Sequence, residues 1–171
     1  MGFFSNDIQT MDDLFVHTLG DIYCAEQKLL QALPTMIENS TNPKLRSAFK
    51  HHMAQTQNHV HRVEHVFEMQ DAERKTVNCP AIDGIIKEAK AVVGDVAVED
   101  EAILDAALIA AAQAVEHYEI ARYGSLISWA RELGRDDWAN ILQENLEEEK
   151  AADEELTEIA DSEVNAQASA A

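Results

Sequence analysis

The stretch FVHTLGDIYCAEQKLLQALPTMI, residues 15–37, decides the fold, because its apolar residues recur at helical spacing. These residues step by three or four positions apart from one gap of seven: Phe15, Leu19, Ile22, Leu29, Leu33 and Ile37. Glu26 lies in that gap, four residues after Ile22 and three before Leu29, and so shares their face. The stretch predicts an amphipathic helix that directs one carboxylate into the protein.

The start of this first helix is marked by Thr10 and Asp13, which have the spacing of a capping box. Pro34 lies inside the apolar pattern. Proline lacks the backbone N–H that a helix uses, so Pro34 is expected to kink the helix or to mark its last turns.

Three more long helices follow in the pattern. Asn42 and Pro43 form a good N-cap and first helical position, Gly134 is expected to stop the third helix, and Asp136 can cap the fourth. The expected helices cover about residues 43–71, 105–133 and 138–161. The tail, residues 164–171, is expected to fray.

A long connection, residues 72–99, joins the second and third helices and contains a short amphipathic piece at 82–93. Antiparallel neighbours need only a few linking residues, whereas helices that point the same way need a long crossover. We therefore predict an all-α fold. It is a ferritin-like up-down-down-up four-helix bundle over residues 1–163, whose crossover carries a short extra helix.

The net charge of −19, from 13 basic and 32 acidic residues, argues against several partners. A field of that sign repels nucleic acids and anionic membrane surfaces, and no stretch approaches the roughly 18 apolar residues of a membrane span. Only Cys24 and Cys79 are present, too few for a disulfide framework, so both are expected to be reduced. Without a signal-like segment, the expected location is the cytoplasm.

Polar residues on the apolar faces of all four helices are expected to converge in the interior. They are Glu26 on the first helix, His52, Gln55 and His59 on the second, Glu116 and Glu119 on the third, and either Glu148 or Glu149 on the fourth. Several unpaired carboxylates in a core of low dielectric constant cannot all be ionised. Two divalent metal ions would remove this penalty, with carboxylates and imidazoles as ligands.

The spacing of these residues departs from the pattern of dinuclear bundle proteins. That pattern has one Glu from each of two helices and a Glu-x-x-His motif from each of the other two. Here the third helix has Glu116-x-x-Glu119, and the second has Thr56-x-x-His59 with Gln55 in place of a carboxylate. The pattern therefore leaves full occupancy by two metal ions open.

A metal-free arrangement is the simpler alternative. Glu26 and Glu116 could be buried acids that are hydrogen-bonded to tyrosine or histidine side chains across the bundle, since buried polar groups usually find a partner. Tyr23 and Tyr118 could serve as such partners.

Four segments together resemble a known family. They are DIYCAE at 21–26, HMAQT at 52–56, AALIAAAQAVEHYEIA at 106–121 and LEEEK at 146–150. At these residues the chain resembles the YciF/YciE-type stress-response proteins, a ferritin-like group similar to rubrerythrins. The resemblance implies a four-helix ferritin-like fold, a homodimer, and a metal centre at Glu26, Glu116, Glu119 and Glu148.

With the two candidates on the second helix, the predicted metal ligands are Glu26, Gln55, His59, Glu116, Glu119 and Glu148. The family usually has Glu at the position of Gln55, and the change removes a charge and a bridging ligand. No catalytic residue is predicted.

Two functions follow from these observations. The first is a dinuclear iron or manganese centre that reacts with oxygen or peroxide. The second is a non-enzymatic dimeric stress protein that holds no metal. A ferritin-like cage that stores iron is a weaker third reading, because the chain lacks the fifth helix of large ferritins.

Overall fold

The computed structural model describes residues 8–74, 77–95 and 101–170, and every regular element within them is helical. The elements are α1 (Met11–Asn39), α2 (Pro43–Met69), α3 (Pro80–Asp95), α4 (Glu101–Glu132), α5 (Asp136–Ile159), a π-helical turn (Ala160–Val164) and α6 (Asn165–Ala168). The prediction of an all-α protein is confirmed. Each predicted helix is present, and its ends lie within four residues of the expected positions.

The predicted starts of α1 and α2 are confirmed by their caps. The Thr10 hydroxyl accepts from the Asp13 backbone N–H at 3.1 Å, and the Asp13 carboxylate accepts from the Thr10 N–H at 2.9 Å. At α2, the Asn42 side chain accepts from the backbone N–H groups of Lys44 and Leu45. α1 continues through Pro34 to its end at Asn39, so the proline does not terminate the helix.

The junction between α4 and α5 depends on Gly134. Its φ of +69° is a left-handed conformation that glycine adopts without strain, and it ends α4 as predicted. The prediction for Asp136 was wrong. Asp136 is the first residue of α5, and the cap position belongs to Arg135, whose side chain makes no capping hydrogen bond.

The four long helices enclose one interior. α1 packs against α2 and α4, α5 packs against the same two helices, and α3 lies on α4. Two apolar clusters fill this interior, the first around Phe15, Leu19 and Trp138 and the second around Phe49 and Leu108. Along α1 and α5 the chain passes from the first cluster to the second, and along α2 and α4 it passes in the reverse order.

The tail that was expected to fray is helical from Asn165 to Ala168. Val164 is 1% exposed and belongs to the second apolar cluster. Just before it, Glu163 pairs with Lys44 and accepts a hydrogen bond from the Asn42 side chain at 3.2 Å. These contacts order the tail against the start of α2, and a contact so distant in sequence was not visible in the local pattern.

The expectation of two reduced cysteines was also wrong. Cys24 in α1 and Cys79, just before α3, form a disulfide with a Cα–Cα distance of 6.4 Å. Two cysteines are too few for a framework, but one bridge needs only two, and the fold brings these two together. The disulfide removes one of the reasons for expecting a cytoplasmic location. No helix in the described part of the chain is both long and apolar enough to cross a membrane.

Reduction of the disulfide is expected to lower the free energy of unfolding by about 2–4 kcal/mol. The bridge joins residues 55 positions apart and closes a loop that contains all of α2, so it restricts the unfolded chain. Urea denaturation with and without a dithiol measures the change. A Cys24→Ser variant is the control and should not respond to the dithiol; an unresponsive wild-type protein would contradict the prediction.

Candidate metal centre

Six ionisable side chains fill the layer between the two apolar clusters, and each is at most 6% exposed. They are Glu26 from α1, His52 and His59 from α2, Glu116 and Glu119 from α4, and Glu149 from α5. We refer to these six residues as the Glu–His cluster. Each of them lies on the buried face of its helix, in line with the apolar residues one turn away.

The cluster contains two groups of candidate ligand atoms, and within each group the atoms lie within 4.8 Å of one another. One group contains His52, Glu116, Glu119 and Glu149; the other contains Glu26, His59 and Glu149. Glu149 belongs to both. Its Oε1 lies 2.9 Å from Nδ1 of His59, and its Oε2 lies 3.8 Å from Nε2 of His52. The two oxygens of this carboxylate therefore face the histidines of two adjacent groups of candidate ligands.

Many of the buried atoms in this cluster have no hydrogen-bond partner. They are Glu26 Oε2, His52 Nδ1, His59 Nδ1, Glu116 Oε2, and both carboxylate oxygens of Glu119 and Glu149. The short contact between His59 and Glu149 lacks the alignment of a hydrogen bond. Buried polar atoms without partners are costly and rare. Carboxylate oxygens and imidazole nitrogens suit iron, manganese and zinc, so the residues fit a divalent metal ion.

The three carboxyl groups from α4 and α5 have pKa values above the usual range. Burial raises the pKa of Glu116 and of Glu119 well above 4.5, and the neighbouring carboxylates raise them further. Burial also raises the pKa of Glu149, although its contact with His59 opposes the change. Without a cation, burial therefore favours the protonated form of these carboxyl groups.

The two histidines respond to burial differently. Burial lowers the pKa of His52, and the nearby carboxylate of Glu116, at 3.3 Å, only partly compensates. Burial also acts to lower the pKa of His59, but the interactions with Glu149 and Glu26 outweigh it and raise that pKa from 6.5 to about 11. In the absence of metal, His59 therefore carries a positive charge that offsets part of the negative charge around it.

Tyrosine and asparagine side chains hold Glu26 in place. The hydroxyl of Tyr123, which is fully buried, donates to Oε1 of Glu26 and accepts from the Asn145 side chain at 2.9 Å. Neither tyrosine considered from the sequence has this role, since Tyr23 donates to Glu64 and Tyr118 donates to Asp21. Tyr123 lies four residues after Glu119, on the same helix face, which is the signal that could have identified it.

The fourth helix contributes Glu149 to the cluster, whereas the predicted Glu148 lies outside both groups. The Glu148 side chain is 29% exposed. It accepts two hydrogen bonds from Arg62, at 2.9 and 3.1 Å, and contacts Nε2 of His59 at 2.8 Å. Because Nε2 of His59 contacts Glu148, the other ring nitrogen, Nδ1, faces the interior. It lies 3.4 Å from Oε1 of Glu26.

On the second helix, His59 lies in one of the two groups of candidate ligand atoms, and Gln55 stays a predicted ligand. Gln55 is half-buried and lies beside His52 at the edge of a small cavity of about 10 Å³, which Glu116 and Glu155 also line. A volume of this size holds about one water molecule, so only a species of that size fits there. His52 was absent from the predicted ligands. It lies seven residues before His59, on the same face of α2, and this spacing was its signal.

Comparison with known proteins places the chain in a family. Residues 10–169 match a family model described as a domain of unknown function, DUF892. The chain belongs to the DUF892 family. It is 42% identical over 163 residues to protein YciF of Escherichia coli (strain K12), a match that covers 95% of this chain and 97% of YciF.

Solved structures are also similar to this chain. The crystal structure of the E. coli stress protein YciF matches with a TM-score of 0.86 and 43% identity, over 92% of this chain and 99% of that one. YcfI from Rhodopseudomonas palustris matches with a TM-score of 0.86 and 54% identity, over 91% and 98%. A protein from Xanthomonas campestris pv. campestris, at 22% identity and a TM-score of 0.71 over 92% and 95%, shares the fold.

Replacement of Glu119 by Gln is expected to stabilise the chelator-treated protein by about 1–3 kcal/mol at pH 8. Burial raises the pKa of Glu119 in the folded protein above the value of 4.5 in the unfolded chain. The protonated side chain therefore stabilises the folded protein fully below pH 4.5, and this stabilisation is lost as the pH rises towards the pKa of the folded state. The benefit of Glu119→Gln should therefore shrink at pH 5. Urea denaturation at both pH values tests this, with the exposed Glu158→Gln as control. A stability change of the same size at both pH values, or a destabilisation at pH 8, would contradict it.

Proposed function

We propose that this DUF892 chain binds two divalent ions, iron or manganese, in the Glu–His cluster of a ferritin-like bundle and reacts there with oxygen or peroxide. The observation that carries the proposal is Glu149, whose two oxygens belong to two adjacent groups of candidate ligands. Two such ions would supply a redox couple and open coordination positions for dioxygen or peroxide.

The donor set supports this proposal in number and charge. The cluster offers four carboxylates and two imidazoles, which equals the set of dinuclear bundle proteins, two Glu and two Glu-x-x-His motifs. Here the distribution differs, since α2 supplies both imidazoles and α4 supplies two carboxylates. Gln55 is not needed to complete the set. Four ionised carboxylates also balance the charge of two divalent ions.

The proposed topology is up-down-down-up. It is supported by the order of the two apolar clusters, which is the same along α1 and α5 and reversed along α2 and α4. A long connection between α2 and α4, with α3 within it, is what two helices pointing the same way require.

Residues around the cluster would keep the ligands in position. Tyr123 fixes one oxygen of Glu26 and leaves Oε2 free, and Glu148 with Arg62 fixes the ring of His59. The apolar clusters on both sides exclude water, which strengthens the electrostatic interactions within the layer. The proton on His59 and those retained by the carboxyl groups would leave when metal binds.

Glu149→Gln is expected to reduce affinity for Fe(II) or Mn(II) about 100-fold or more, since loss of an outer partner alone typically costs 10–100-fold. The control is Glu148→Gln, which changes the residue that contacts the outer nitrogen of His59. It should reduce the affinity for metal by a smaller factor. Anaerobic titration followed by elemental analysis should give two ions per wild-type chain. Equal metal content in wild type and Glu149→Gln would overturn the proposal.

The reaction has its own readout. Wild-type protein loaded with Fe(II) is expected to consume oxygen or peroxide, and Glu149→Gln treated in the same way is not. If two metal ions bind but neither oxygen nor peroxide is consumed, the metal-binding part of the proposal stands and the redox part is wrong.

Metal binding is expected to release protons and to strengthen as the pH rises through the neutral range. The pKa values of His59, Glu116, Glu119 and Glu149 are raised, so these groups hold protons that compete with metal. Calorimetry in buffers of different ionisation enthalpy counts the protons. Affinity that is independent of pH would show that these groups are not the ligands.

The second candidate is a non-enzymatic stress protein, acting as a homodimer. It is favoured by the raised pKa values, because protons and the charge of His59 can neutralise the cluster without metal. A structural role has been proposed for YcfI. If chelators leave both the melting temperature and any protective activity unchanged, this candidate is supported and the metal proposal fails; sedimentation measures the dimer.

A further inference from the structure

A second cavity, of about 370 Å³, lies between α1, α3 and α4. Its interior is apolar and is formed largely by Leu29, Met36, Ile86, Val93, Leu108 and Val115. The volume falls within the roughly 300–1,000 Å³ typical of small-molecule sites. None of its lining residues belongs to the Glu–His cluster, so it is a separate feature of the fold.

Small side chains explain why this space exists. α3 packs on α4, and the alanines that face the cavity, Ala32, Ala89 and Ala111, are too short to fill the gap towards α1. The disulfide at Cys79 and the ion pair between Lys28 and Asp83 connect the N-terminal end of α3 to α1. The cavity lies beyond these links, under the later part of α3.

The rim of the cavity is polar and exposed. Gln31, Thr35 and Asn39 from α1 and Lys90 from α3 lie there. Among the described residues that line the cavity, Lys90 is the one with a charged side chain. The rim therefore presents a local cation and hydrogen-bonding groups beside an apolar interior.

We propose that this cavity binds a medium-chain fatty acid, with the hydrocarbon chain between α1, α3 and α4 and the carboxylate at Lys90. The apolar walls match the chain, and the ammonium of Lys90 complements the head group. The polar side chains of Gln31 and Thr35 lie on the same rim and can hydrogen-bond to the carboxylate oxygens. The proposal is independent of the metal centre.

A chain-length series of hexanoate, octanoate and decanoate, kept below micelle-forming concentrations, tests the hydrocarbon part by calorimetry on the full chain. Affinity should rise roughly fourfold per buried methylene until the cavity is filled, with one molecule bound per chain. Decanol, which has no charge, should bind roughly threefold more weakly than decanoate, because an exposed ion pair contributes little. No binding, or no dependence on chain length, would overturn the proposal.

Variants localise the binding. Ala32→Leu projects a larger side chain into the cavity and should reduce decanoate affinity at least tenfold, whereas the same change at the exposed Ala54 on α2 should not. Lys90→Gln should remove the preference for decanoate over decanol, and Lys87→Gln, on the same helix outside the cavity, should retain it. If Ala32→Leu fails to fold, the comparison of Lys90→Gln with Lys87→Gln still shows whether the carboxylate binds at this rim.

A second copy of the chain is the competing occupant. If decanoate does not bind and Ala32→Leu dissociates a dimer in sedimentation, the face is an interface between copies and the proposal is wrong. Glu149→Gln should bind decanoate like wild type, so failure of the metal centre and failure of this site are distinguishable.

Discussion

Four carboxyl groups buried between the long helices are the constraint on which the rest of the structure depends. Glu26, Glu119 and Glu149 have no exposed surface and Glu116 has 3%. Each isolated buried charge costs several kcal/mol, so the group must be neutralised by protons, by histidine or by metal. Two histidines lie in the same layer, but several buried carboxylate oxygens still have no hydrogen-bond partner.

The surroundings of this layer follow from the same constraint. Apolar clusters on both sides support a layer that could not contribute hydrophobic packing of its own. At the edge, Arg62 and Glu148 meet the outer nitrogen of His59, and Tyr123 meets Glu26. Each of these contacts fixes one atom and leaves another without a partner. The cluster is thus oriented but unsatisfied, which distinguishes a candidate ligand set from a buried hydrogen-bond network.

Much of the fold could be predicted because it depends on short-range periodicity. The apolar stripe of α1, the capping box at Thr10 and the αL glycine at position 134 all act within a few residues. The Cys24–Cys79 bridge and the ordered tail at Val164 were missed, because each depends on segments far apart in the chain. Spacing predicts which face a residue occupies, and it does not identify the segment that the face will meet.

The amino-acid sequence by itself determined the all-helical fold, the family, and the acidic residues that interrupt the apolar stripes, since these follow from helical spacing and from recognisable motifs. Only the tertiary structure decided that Glu149 rather than Glu148 turns inward, that His52 joins His59, and that Tyr123 is the partner of Glu26. Adjacent residues on a helix differ by about 100° in direction. Which of the two meets the core therefore depends on how the whole helix is rotated against its neighbours.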